Sequence, residues 1–241
     1  MIELRLLGTI DLAGVARASA NELLGKPQAT ALLAHLALVS PIGFQRRDSI
    51  ATLFWPEVAQ HYARANLRKL LLGLRATLGK EAFETRGDEE VRIDESVVWC
   101  DAVAFRQAFR DQQLTRAMEI FRGTLMPGFS VSGSPGFQDW LDTARRECTR
   151  DAVKMLLALA QERLADDEHT DVGRLAHYAA IVDSEIQDER DLRKLIDMLD
   201  RIGDRAGALE LYERFRQRLQ RDHQCSPSKE TRALIERIRT E

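Results

Sequence analysis

The sequence predicts a mainly α protein in two parts: a small N-terminal module of short strands, three helices and a closing hairpin over residues 1–99, and an all-helical array over 100–241. Three observations predict this. Short strand-like runs broken by glycine give way to a helical period after Pro27, two strand-like runs flank a glycine between residues 82 and 93, and from Asp101 almost every segment repeats with the helical period. A chain of 241 residues is longer than a single core usually fills, and 44% hydrophobic with 30% charged residues supplies both an interior and a solvated surface. A disordered tail is excluded on that composition.

The elements follow in order. Ile2 to Leu7 reads as a strand, with further short pieces broken at Gly8, Gly14 and Gly25. From Pro27, acceptable in a first helical turn, Leu32, Leu33, Leu36 and Val39 fall at helical spacing, and Ser40-Pro41-Ile42-Gly43 ends the helix. Asp48 or Ser49 can cap a second helix carrying Ile50, Leu53 and Phe54, which stops at Trp55-Pro56. The third helix, 61–78, places Leu67, Leu70, Leu71, Leu74 and Leu78 in one stripe facing the core. At about 100° per residue, Ala65, Lys69 and Ala76 lie opposite the stripe, Arg64, Arg68 and Arg75 along one flank and Asn66 on the other. Ala82 to Thr85 and Val91 to Ile93, around Arg86-Gly87-Asp88, form a hairpin. Strands, three helices and a hairpin make a winged helix-turn-helix, which lays its last helix in the DNA major groove.

Charge sharpens that reading. The net charge is only -3, and residues 1–99 hold twelve basic and twelve acidic side chains, leaving 23 of the 35 basic and 26 of the 38 acidic residues to the rest. Gln60 to Lys80 nonetheless carries Arg64, Arg68, Lys69, Arg75 and Lys80 without one acid, and a phosphate backbone responds to local field. Arg64, Asn66, Arg68 and Lys69 are therefore the candidates for base edges, through Arg-guanine or Asn-adenine pairing. Arg46, Arg47, Arg75, Lys80 and Arg86 are the candidates for phosphates. Glu81 to Glu95 holds seven acids against Arg86 and Arg92, an unfavourable surface to lay along DNA. That leaves open a second reading, a protein-interaction adaptor whose winged helix docks without binding DNA.

In the remainder, Phe105 and Phe109, then Leu114, Met118 and Phe121, repeat at helical spacing before a loop from Met126 to Gly136. Gly173, Leu175 and Tyr178 recur 34 residues later as Gly207, Leu209 and Tyr212, the tetratricopeptide period. Stacked helical hairpins of this kind present a concave face to a protein partner.

Catalytic and metal chemistry finds little support. His35, His61, His169, His177 and His223 form no HExxH and no pair at metal-binding helical spacing, and GFSVSGSPG lacks both the Walker lysine and a GxSxG elbow, which leaves it a connecting loop. Asp166-Asp167-Glu168 and Asp188-Glu189 suit helix starts, and Trp55, Trp99 and Trp140 suit packing anchors. Cys100, Cys148 and Cys225 are odd in number and far apart, so neither a disulfide framework nor a zinc ribbon is expected. No enzyme, metal or cofactor is expected. The chain shows no signal-peptide pattern at MIELRLLG and no run near twenty apolar residues, so a cytoplasmic protein without a membrane partner is expected.

The runs LRLLGTIDL, KPQATALLAHLAL and RRDSIATLFWPEVAQHYARANLRKLLLGLRATLG, with GALELYERFRQRLQRDHQCSPSKETRALIERI near the end, carry a family resemblance. Over essentially the whole chain they resemble bacterial activators of the antibiotic regulatory protein (SARP) type, an OmpR-like winged helix followed by a bacterial transcriptional activator domain. The resemblance implies monomers bound head to tail on direct repeats of double-stranded DNA. It also implies recruitment of RNA polymerase through the loop before the recognition helix, here Trp55, Pro56 and Glu57, aided by the helical domain. Leu72-Gly73 stands where members often carry a Ser-Arg pair.

Overall fold

A computed structural model describes residues 1–39, 43–165, 175 and 188–240. The chain forms two compact units, one of Met1–Gln112 with Glu119–Cys148, the other of Gln113–Met118 with Thr149–Glu241.

In the first unit β1 (Ile2–Arg5) pairs antiparallel with β2 (Asp11–Ala13) and parallel with β6 (Val98–Cys100). The register sets Leu4 between Leu12 and Cys100, and all three are buried, as one face of an alternating strand requires. Burial pushes the Cys100 thiol up to about 12, so it is a packing residue; no disulfide joins the three cysteines. The strand β6 runs directly into α5 (Asp101–Arg110), so the predicted boundary at 99/100 falls inside a paired strand. The buried Asp101 carboxylate accepts hydrogen bonds from the backbone N–H groups of Leu6 (2.8 Å), Leu7 (3.1 Å) and Ala102 (2.7 Å).

Four helices precede that point: α1 (Arg17–Leu24), α2 (Pro27–Leu38), α3 (Arg47–Phe54) and α4 (Gln60–Leu78). Every residue of α2 from Ala29 to Leu38 is buried, which makes it the central helix, and α1, α4 and α5 pack on it. The strand-like reading of 15–25 is corrected by α1. That helix buries only Ala20 and Leu23, too few apolar positions to show a period, and its stability comes from packing on α2 and β2. Neither Asp48 nor Ser49 caps α3, which begins at Arg47 with Arg46 as its cap and no side-chain capping bond. Leu70 is half-buried, while Ala63 joins Leu67, Leu71, Leu74 and Leu78 in the buried stripe of α4. Gly79 ends α4 with φ +90°, a conformation that side chains with a Cβ rarely adopt.

The wing is three-stranded: β5 (Glu90–Ile93) lies between β4 (Phe83–Arg86) and β3 (Gln45–Arg46). The sequence shows no sign of β3, because two residues are too few to alternate. Further along the chain, α6 (Leu114–Ile120) leads through a loop to α7 (Pro135–Ala165), whose residues up to Cys148 belong to the first unit and from Thr149 to the second. The loop is structural: Ser134 donates to the Phe54 carbonyl (2.8 Å), and Arg145 donates to the carbonyls of Leu125, Met126 and Phe129. Phe54, Trp55, Phe137 and Trp140 form an aromatic cluster around His35, with the imidazole edge-on to Trp140 at 4.6 Å.

The second unit contains α8 (Glu189–Arg201), α9 (Arg205–His223) and α10 (Lys229–Thr240). An amphipathic α8 buries Leu192, Leu195, Ile196 and Leu199, and α9 packs against it through Ala208, Leu211, Tyr212 and Phe215. Of the 34-residue repeat, Gly207 and Tyr212 lie on α9; Gly207 donates its N–H to the capping Asp204 (2.9 Å), whose carboxylate occupies the place a Cβ would take. Gly173 and Tyr178 of the other copy lie outside the described residues, as do Asp166-Asp167-Glu168. Asp188 caps α8 as expected, accepting from the Arg190 N–H. Glu189 ties α8 to α10 by accepting from the Ser228 N–H (3.0 Å), the Ser228 hydroxyl (2.5 Å) and the Thr231 hydroxyl (2.6 Å). Glu189→Ala is expected to destabilise this unit by about 1–3 kcal/mol, because the buried Thr231 hydroxyl loses its acceptor. Urea denaturation of the full chain measures it, and a change within error would show that the network adds nothing.

Candidate nucleic-acid interface

With Leu67, Leu71, Leu74 and Leu78 turned inward, the outer face of α4 consists of His61, Tyr62, Ala65, Asn66, Arg68, Lys69, Leu72, Gly73 and Ala76, all exposed. Asn66, Arg68 and Lys69 stand on this face as the spacing predicts. Among the described residues Arg68, Lys69, Arg75, Lys80 and Arg46 form no ion pair, and no acid lies on α4 to neutralise them.

Arg64 is placed differently. Its Nε and Nη2 meet the two carboxylate oxygens of Asp48 at 2.5 and 2.6 Å, and Nη2 also reaches Glu89 at 3.2 Å. The Arg64 hydrogen bond, with a second from Gln60, holds the Asp48 carboxyl down to about 2, and the same bond raises the Arg64 guanidinium. Arg64 thus fastens α4 to α3 and to the wing, and two carboxylates would have to be released before it could meet a base. Charges 16 and 25 residues apart leave no periodic mark in a sequence.

The acidic wing is largely neutralised from within. Glu84 pairs with Arg92 (2.7 Å), Glu89 with Arg64, Glu90 with Arg86 (3.7 Å) and Asp88 with Arg47 (3.7 Å). Arg86 also lies over the Phe44 ring at 3.9 Å, with Arg92 at 4.8 Å, cation–π contacts that hold both guanidinium groups near the wing. Arg47 is mostly buried, its Nε has no hydrogen-bond partner, and burial lowers its pKa with the like charges of Arg75 and Arg68 adding to the effect, while Asp88 opposes it. An anion near Arg68 and Arg75 would offset the like-charge repulsion that they exert on Arg47. Arg46 and Lys80 are exposed.

In the loop before α4, Trp55 is buried against Phe54 and serves as an anchor, whereas Pro56, Glu57 and Val58 are exposed. Among the described residues no cluster of His, Cys, Asp or Glu could hold a metal ion, and no helix is long and apolar enough to cross a membrane.

The profile of the bacterial transcriptional activator domain matches residues 101–239. The chain belongs to the bacterial transcriptional activator domain family. As a member of that family it also shares its fold with the solved structure of Mycobacterium tuberculosis EmbR in complex with a low affinity phosphopeptide: 18% identity, TM-score 0.65, over 99% of this chain. It spans 65% of the EmbR chain. No curated protein sequence matches it. A winged helix with a bacterial transcriptional activator domain is the SARP-type arrangement that the sequence resembles, and the family is one of transcriptional regulators.

Proposed function

We propose that the protein is a sequence-specific activator that binds double-stranded DNA, laying α4 in the major groove, and recruits RNA polymerase. The observation that carries this reading is the outer face of α4, where Arg68 and Lys69 stand without carboxylate partners while Glu84, Asp88, Glu89 and Glu90 of the wing are paired within the fold. Asn66, Arg68 and Lys69 read base edges, and Arg64 sets the angle of the helix that presents them. Arg46, Arg47, Arg75, Lys80 and Arg86 hold phosphates. Head-to-tail binding to direct repeats, contact of polymerase with the exposed Pro56 and Glu57 beside Trp55, and a protein partner on the helical array in the cytoplasm complete the proposal.

Enrichment of a preferred duplex from random sequence, followed by titration at several salt concentrations, tests it. Arg68→Ala and Lys69→Ala are each expected to weaken the preferred duplex roughly tenfold or more while leaving nonspecific duplex much less affected. Arg75→Ala and Lys80→Ala should weaken all duplexes alike and reduce the salt slope by about one each. If no duplex is enriched and these variants bind as the native chain does, the winged helix is a docking module and not a reader of DNA.

A further inference from the structure

Large exposed apolar side chains are few: among the described residues they are Met1, Val58, Tyr62 and Leu72. Three of the four lie on α4 or immediately before it, and Leu72 is 60% exposed in the middle of the helix. Helical spacing puts Leu72 one turn beyond both Arg68 (i+4) and Lys69 (i+3), so the isobutyl group and the two unpaired cations share one face. Ala65 and Ala76 flank it on that face, and nothing lies within 4 Å of where a Cβ on the adjacent Gly73 would stand. Leu72 is therefore an isolated apolar knob among small side chains, bordered by positive charge, with no acid on the helix.

Burying that side chain against an apolar group is favourable, and the surrounding cations select a polyanion as the molecule that brings one. In the major groove of DNA the apolar group available to a side chain is the C5-methyl of thymine. We propose that Leu72 is a specificity-determining residue that packs on a thymine methyl, reading A·T pairs next to the positions read by Arg68 and Lys69. This rests on the DNA-binding reading above and adds to it a base preference for a residue that can make no hydrogen bond.

The test replaces each thymine of the enriched duplex, one at a time, by deoxyuridine, which removes the methyl and leaves the hydrogen-bonding edge intact. For the full native chain, one such replacement is expected to weaken binding about fourfold, the worth of one buried methyl-sized group. Leu72→Ala should bind the native duplex about as weakly as the native chain binds the uridine duplex, and should be indifferent to that replacement. Because the side chain is exposed and alanine favours helix, this variant folds, and circular dichroism checks it. Four results would overturn the inference. If a duplex is enriched and Arg68→Ala abolishes the preference, but every uridine replacement is silent, DNA reading stands and Leu72 takes no part. If Leu72→Ala remains sensitive to the same replacement, another residue reads the methyl. If no duplex is enriched, both readings fall; if one is enriched but Leu72→Ala changes only self-association in sedimentation, DNA reading stands and Leu72 serves a protein contact.

Discussion

Asp101→Ala is expected to cost about 3–5 kcal/mol of stability, the largest single effect foreseen for this chain. Its carboxylate accepts from Leu6, Leu7 and Ala102, so one side chain meets the backbone donors of two segments more than ninety residues apart. Burial pushes the carboxyl up despite those three bonds, which shows that the charged form is held at a cost. Alanine relieves that cost but leaves three N–H groups without acceptors in a site closed to water, and the second effect is the larger. Asp101→Asn should cost less, because its oxygen can retain the bonds from Leu6 and Ala102 while its amide faces the Leu7 N–H as a second donor. Chemical denaturation gives the order. If alanine costs under 1 kcal/mol, or asparagine costs more than alanine, the carboxylate does not hold the Leu6–Leu7 backbone to α5.

The second large effect is a pH dependence centred on His35. Desolvation lowers its pKa to about 4 from 6.5, and its Nδ1 has no partner among the aromatic rings around it. The unfolded chain binds this proton as pH falls through 6.5, whereas the folded chain does not until about 4, so stability falls with pH across that window. The full loss is roughly 3 kcal/mol, and most of it is reached by pH 4.5. His35→Leu should therefore gain about 2–3 kcal/mol relative to the native chain between pH 7.5 and pH 4.5, read from denaturation curves at each pH. Parallel curves for the two proteins would show that the imidazole is protonated in the fold. Because α2 packs against α4, acid loosening at His35 acts on the same unit that carries the basic face of α4.

Much of the fold is legible in the residues. Leu67, Leu71, Leu74 and Leu78 announce α4 and its buried side because a 19-residue helix repeats its pattern often enough to be read. The glycine between two short alternating runs announces the wing for the same reason. The helix α1 and the strand β3 are invisible, one with two buried apolar residues and the other only two residues long, and both exist because a neighbour packs or pairs with them. The family assignment of residues 101–239 accords with the resemblance seen in the sequence, most of it from residues that form helices and not a site.

The candidate interface divides in the same way. Periodicity alone puts Asn66, Arg68 and Lys69 on the open side of α4, and counting charges finds the basic run inside a protein of net charge -3. The sequence by itself therefore determined the fold class, the helix α4 and the sign of its outer face, since each depends on neighbours along the chain. Only the tertiary structure decided which of those cations are free. It pairs Arg64 with Asp48 and Glu89, buries Arg47 beside Arg68 and Arg75, spends four wing acids on internal partners and leaves Leu72 uncovered. Coulomb attraction and burial act through space at a few ångströms, and residues 16 or 25 apart in the chain reach that distance only once the core has folded.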